Sequence, residues 1–160
     1  MRVAVFPGSF DPVTRGHEDI ARKALHWCDK LIIAVGINTT KVPMFPAHVR
    51  MQMWHAVVGD HPRIAIVAYN GLTIDLCRSM QASYIVRGVR DGLDLSFELS
   101  IAHMNADMNP AIQTIFLPPT PTLAHIRAVV VREIWTNRGD VRPFVSDAVF
   151  DIMRKFSTWQ

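Results

Sequence analysis

Residues 2–24, RVAVFPGSFDPVTRGHEDIARKA, pass from an apolar run through a turn into a helical pattern, and that passage decides the fold. RVAVF, residues 2–6, is continuous rather than alternating, as expected of a strand whose sheet is covered on both faces. PGSFDPVTRGH, residues 7–17, then places two glycines, two prolines, a serine, a threonine and a histidine in one short stretch. Beyond it a helical period takes over, with His17, Ile20, Ala21, Ala24, Leu25 and Cys28 on one face. Gly8 lets backbone approach a ligand closely, Ser9 offers a hydroxyl and an amide, and Thr14 is placed to cap a helix whose first turn holds Gly16 and His17. Free amides and the dipole at a helix start attract phosphate, and a histidine there can donate a hydrogen bond to it.

Four further apolar runs repeat the theme: KLIIAVG at 30–36, RIAIVA at 63–68, SYIVRG at 83–88 and IQTIFL at 112–117. Helical stretches separate them, one with Val49, Met53, Ala56 and Val57 on a common face. Alternating strands and helices predict an α/β, Rossmann-like, doubly wound parallel five-stranded sheet with helices on both faces. No repeat, low-complexity tract or linker divides the 160 residues, so one domain over 1–160 is expected. In such sheets ligands bind at the carboxyl ends of the strands, which makes the strand-to-helix turns the places to search.

The charge balance is +3, from 17 lysines and arginines against 14 acids, and no basic block stands out. That pattern argues against a general nucleic-acid surface and favours small anionic ligands. Cys28 and Cys77 sit among apolar neighbours without paired or metal-like spacing, so they read as packing residues in a reducing compartment, with no disulfide. The apolar run at the start is too short for a signal peptide, and no stretch has the ~18 apolar residues of a membrane helix. A cytoplasmic protein is the expectation. The seven histidines show no metal-ligand constellation, and no protein-bound metal is expected.

GSFDPVTRGH at 8–17 resembles the signature of the T/HxGH nucleotidyltransferase superfamily. Together with KVPMF at 41–45, YIVRGVRDGLDLSFELSIAHMN at 84–105 and RGDVRPFVS at 138–146, it makes nearly the whole chain similar to the phosphopantetheine adenylyltransferase family. The resemblance implies transfer of the adenylyl group of ATP to 4'-phosphopantetheine, with pyrophosphate leaving and dephospho-coenzyme A formed. Such chemistry needs two polyanions aligned and charge stabilised on the equatorial oxygens, so positioning and electrostatics carry it. By resemblance, His17, Lys41 and Arg90 are catalytic. Ser9, Phe10, His17, Gly88, Val89, Arg90 and Glu98 contact ATP, joined by Leu123, Ile126, Arg127 and Val129. Ser9, Lys41, Thr73 and Arg87 hold the acceptor. Magnesium arrives with the ATP phosphates, a homohexamer is implied, and coenzyme A is implied as a feedback ligand. Read from the residues alone, Arg87 and Arg90 are also compatible with surface charges, Glu98 with pairing to an arginine, and His103 with a packed or interface histidine.

The chain departs from the family pattern in one stretch. A serine-rich helix start, approximately ISSSxVKE, is replaced by HIRAVVVRE at 125–133, with Arg127, Ala128 and Val129 where the hydroxyls would stand. Arg127 either supplies charge in their place or fills the phosphate site and closes it; the valine suggests a stretch that packs. Two other readings follow: an adenylyltransferase with another phosphorylated acceptor such as NMN, and a non-catalytic sensor of coenzyme A or a nucleotide. A smaller departure, FPAHVR at 45–50, lacks acidic residues before Arg50 and is expected to change the charge of a helix start and little else.

Overall fold

A computed structural model of the chain describes residues 1–37 and 42–157. The elements alternate as β1 (Val3–Gly8), α1 (Arg15–Ala24), β2 (Lys30–Gly36), α2 (Ala47–Val58), β3 (Ile64–Tyr69), α3 (Thr73–Ser79), β4 (Tyr84–Gly88), α4 (Gly92–Met108) and β5 (Gln113–Leu117). A 3-10 turn (Pro121–Leu123), α5 (Ala128–Thr136) and α6 (Asp147–Phe156) follow. All strand pairings are parallel, in the order β3-β2-β1-β4-β5. The chain winds outward from β1 through β2 to β3, then returns to the other side of β1 for β4 and β5, so the winding reverses between β1 and β4. Ligands of doubly wound sheets bind at that reversal.

Along β1 the side chains alternate between two cores, as the pleat requires. Ala4 and Phe6 join Leu31, Ile33 and Val86 under α1, α2, α5 and α6; Val3 and Val5 join Ile32, Ala34 and Ile85 under α3. Cys28 is buried in the first core and Cys77 in the second. α6 packs on α2 and completes the first layer. α4 buries no residue fully. Among the described residues no helix is long and apolar enough to cross a membrane.

Helix α2 buries a stripe other than the one read from the sequence. Val49 and Met53 face the core, but Arg50 and Trp54 are buried beside them and Ala56 is exposed. Trp54 is fully buried and its ring meets Phe6 and Phe10 edge-on, so the largest side chain rotates the buried face toward itself.

β1 also runs two residues further than its apolar run. It pairs with β2 as far as Gly8–Val35, but with β4 only through Ala4–Tyr84 and Val5–Ile85. Beyond Val5 the two central strands part. Pro7 therefore sits in a strand without cost, because its missing N–H and its carbonyl face the side where no ladder continues.

Candidate active site

The turn after β1 is built around an inverted Phe10. Its φ is +50°, which swings the ring back beneath Gly8, and a Cβ on Gly8 would lie 2.7 Å from that ring. Only glycine fits there. The Phe10 ring, 2% exposed, packs at 5.1 Å from Phe6, from Trp54 and from the imidazole of His17, each edge-on. Phe10 is thus the floor on which His17 rests.

Thr14 and His17 form a reciprocal cap at the start of α1. The Thr14 hydroxyl accepts from the His17 backbone N–H at 3.4 Å, and the Thr14 N–H donates to His17 Nδ1 at 3.1 Å. Because Nδ1 accepts, the proton of the neutral ring lies on Nε2. Burial, then the charges of Arg90 and Arg87, pushes the His17 pKa down to about 3. The group facing the cavity is a neutral N–H donor on a fixed ring.

Two cavities meet at the parted strand tips. The smaller, about 200 Å³, opens on the α1 side and is lined by His17, Gly16, Gly88, Arg90, Asp94 and Leu123 among others. The larger, about 630 Å³, lies between α3 and α4 and is lined by Tyr69, Thr73, Ile101, Ala102 and Asn105 with the tip of β2. Pro7, Gly8, Ser9, Arg87 and Glu98 line both. Arg87 bridges the split: its Nη1 donates to the Pro7 carbonyl at 2.7 Å, where ladder bonds have ceased, and Glu98 holds the guanidinium from the other side through two oxygens, one of them 2.7 Å from Nε. Glu98 is thus both a cavity wall and an arginine's partner.

A second charge cluster stands at the rim of the smaller cavity. Arg90 pairs with Asp94 at 3.1 Å; Arg127 pairs with Asp91 at 2.7 Å and with Asp94 at 3.5 Å. Asp91 caps α4 by accepting from the Asp94 N–H at 2.8 Å. Arg127 remains 42% exposed and lines neither cavity, so the smaller cavity stays open. Its neighbours go three ways. Leu123 lines the cavity, Ile126 is turned into the core, and Val129 is exposed rather than packed.

Of the other residues singled out in the sequence, Gly88 approaches α1 so closely that a Cβ there would come within 3.0 Å of the Ile20 side chain, and the Val89 N–H is held by the Leu117 carbonyl at 3.1 Å. Thr73 opens α3 and its hydroxyl bonds Tyr69 Oη at 3.1 Å on the wall of the larger cavity. His103 is exposed on α4. Lys41 lies outside the described residues. Among the described residues no group of three or more His, Cys, Asp or Glu could hold a metal ion. Tyr69, Asp94 and Arg50 are site or support residues that the sequence reading passed over. Asp94 had a signal, the helical spacing to Arg90; for Tyr69 and Arg50 only the tertiary structure supplies one.

The cytidylyltransferase-like family model matches residues 5–134, from β1 into α5. Together with the reversed parallel sheet, this sets the class: a cytidylyltransferase-like protein. A phosphopantetheine adenylyltransferase of Nitrobacter winogradskyi is 44% identical over 158 residues, 96% of each chain. One of Brucella anthropi is 42% identical over 154 residues, 93% of this chain and 94% of the relative. The chain belongs to the phosphopantetheine adenylyltransferase family. A solved structure from Vibrio parahaemolyticus, provisionally described as a nicotinate-nucleotide adenylyltransferase, superposes with a TM-score of 0.73 over 97% of this chain and 93% of its own, at 15% identity. At that identity the likeness speaks for the fold alone.

Proposed function

We propose that this chain transfers the adenylyl group of ATP to 4'-phosphopantetheine, giving dephospho-coenzyme A and pyrophosphate in coenzyme A synthesis. The observation that carries the reading is the shared wall: Ser9, Arg87 and Glu98 belong at once to a cavity holding His17 and Arg90 and to a larger one holding Thr73. Two phosphorylated molecules placed in those cavities meet end to end at the parted tips of β1 and β4.

In this reading the ATP phosphates occupy the smaller cavity and the pantetheine arm the larger. A phosphate oxygen of the acceptor attacks the α-phosphorus of ATP in line, the bond from that phosphorus to the bridging oxygen breaks, and pyrophosphate leaves. No covalent enzyme intermediate forms. His17 Nε2–H donates to a non-bridging α-phosphate oxygen, and Arg90 adds charge. Arg87 and Ser9 hold the acceptor phosphate, with Lys41 assigned the same task by resemblance. Fixed donors cost no reorganisation as charge develops, which is where the rate enhancement arises. Magnesium enters as part of the substrate, bound by the ATP phosphates and water. Arg127 serves the outer phosphates, leaving Asp91 and Asp94 as ATP arrives.

The same reading extends to assembly and regulation. Leu93, Phe97 and Met104 on α4 are between 66 and 85% exposed, an apolar face suited to other copies of the chain in a homohexamer. Coenzyme A, which shares the pantetheine arm, is a feedback ligand of the larger cavity, and the protein works in the cytoplasm. The test is direct: purified protein with ATP, magnesium and 4'-phosphopantetheine releases pyrophosphate and dephospho-coenzyme A. Folded wild-type protein yielding neither overturns the proposal. Turnover only with nicotinamide mononucleotide marks a different acceptor, and tight coenzyme A binding without ATP binding marks a sensor.

A further inference from the structure

Arg50 lies in the first turn of α2 with only 3% of its surface exposed. Among the described residues no carboxylate oxygen comes within ion-pair distance of it, and the buried Asp11 carboxylate acts on it only at longer range. Its donors go instead to three carbonyls: Nε to Phe45 at 2.8 Å, and Nη1 to Gly36 at 2.9 Å and to Ser9. Those carbonyls belong to three separate segments, the turn after β1, the tip of β2 and the entry to α2.

A buried cation without a bonded counter-ion is costly, and a leucine or methionine would fill the same helix position with favourable burial. Carbonyl partners offset part of that cost, but the arrangement stabilises only if the three segments are held together. Ser9 and Gly36 line the larger cavity, and Phe45 ends the stretch that follows Lys41. Asp11 grips the same stretch from the opposite side: its buried carboxylate accepts from the backbone N–H groups of Met44 at 2.8 Å and Phe45 at 2.9 Å. The entry to α2 is thus tied to the turn after β1 by two charged side chains acting in opposite directions, one accepting and one donating.

We propose that Arg50 is a positioning residue for adenylyl transfer, holding the turn at Ser9 and the tip of β2 at Gly36 in one register on the wall of the larger cavity, so that Ser9 meets the acceptor phosphate in line. The inference rests on the function proposed above and goes beyond it, because Arg50 touches neither substrate. Lysine at this place keeps the charge but reaches no more than part of the three-carbonyl set.

The test is Arg50→Lys, with kcat and both KM values measured beside thermal unfolding. A misplacement of ~1 Å costs on the order of 100-fold, so kcat falls by about that factor while KM for ATP, held from the far side by His17 and Arg90, stays within about threefold. A folded Arg50→Lys protein with wild-type kcat overturns the proposal. So does a loss of kcat that disappears when the assay is cooled well below the variant's Tm, since that is instability alone. If Arg50→Lys does not fold, Asp11→Asn, which loosens the same segment from the other side, takes its place: a kcat-selective loss supports the proposal and an unchanged kcat overturns it. Wild-type protein without turnover is a different result and removes the functional reading itself.

Discussion

Removing the imidazole of His17 tests the site's central claim, that its electrophile is a neutral hydrogen-bond donor and not a cation. With burial and the neighbouring arginines pushing the ring's pKa down to about 3, His17 is predominantly neutral at pH 6.5. A free imidazole would be half charged there. His17→Ala deletes one preorganised donor, and losses of that kind lower kcat by about 10²- to 10³-fold. The helix cap loses one of its two reciprocal bonds, a stability cost of ~1 kcal/mol, which leaves the domain folded. In the substrate-free protein ring-nitrogen NMR finds Nε2 protonated and Nδ1 unprotonated from pH 8 to 5.5. Because the folded pKa lies below the unfolded 6.5, His17 stabilises the fold above pH 6.5; that contribution is lost as pH drops toward 3, with a slope of about 1.4 kcal/mol per pH unit. His17→Ala flattens this part of the pH–stability curve. A substrate-free ring that takes up its second proton near pH 6.5, or one protonated on Nδ1 alone, refutes the assignment.

Arg127→Ala is expected to raise KM for ATP roughly 2- to 30-fold: a hydrogen bond to a charged phosphate contributes about 1.5–3 kcal/mol, less ~1 kcal/mol for leaving the partly exposed ion pairs with Asp91 and Asp94. KM for 4'-phosphopantetheine does not move, and an unchanged ATP KM in steady-state kinetics leaves Arg127 without a role in the site. Gly8→Ala puts a methyl 2.7 Å from the Phe10 ring, so the ring beneath His17 shifts, with a stability loss of about 1–3 kcal/mol by urea unfolding and a lower kcat. Phe97→Asp, on a side chain 68% exposed in the single chain, is expected to convert the proposed homohexamer to smaller species in light scattering; an unaltered mass shows that α4 is not the contact.

How much of this was legible depends on the distance over which each feature is determined. The strands were readable because continuous apolar runs require a sheet covered on both faces, and their ends fall within two residues of the runs. The Thr14–His17 cap was readable because it is closed within four residues. α4 was not: its apolar residues run all round the helix and none is fully buried, so the pattern indicates neither a core face nor its absence. Arg50 was passed over for a related reason. An arginine shortly after Pro46 looks like a solvent-facing residue of a helix start, and only the convergence of three distant carbonyls explains its burial. At Arg127 the sequence located the departure but not the direction of the side chain, which Asp91 and Asp94, more than thirty residues away, decide.

The electrostatics of the site join these features. Each described arginine around the phosphate positions already has an acid: Arg87 has Glu98, Arg90 has Asp94, and Arg127 has Asp91 and Asp94. Burial keeps His17 neutral. Without substrates the described site is therefore close to charge balance, and its cations are held at set positions instead of repelling one another. Two incoming polyanions upset that balance only where they displace a carboxylate, and the partners differ in how readily they yield. The Arg87–Glu98 pair is largely enclosed and bonded through two oxygens, so it remains as a wall between the cavities. The Arg127–Asp91 pair is exposed and the Arg127–Asp94 contact long at 3.5 Å, so both are weak and open first. On the proposed function, the fold separates a rigid partition that aligns attacking and leaving groups from an adjustable rim that neutralises the departing phosphates.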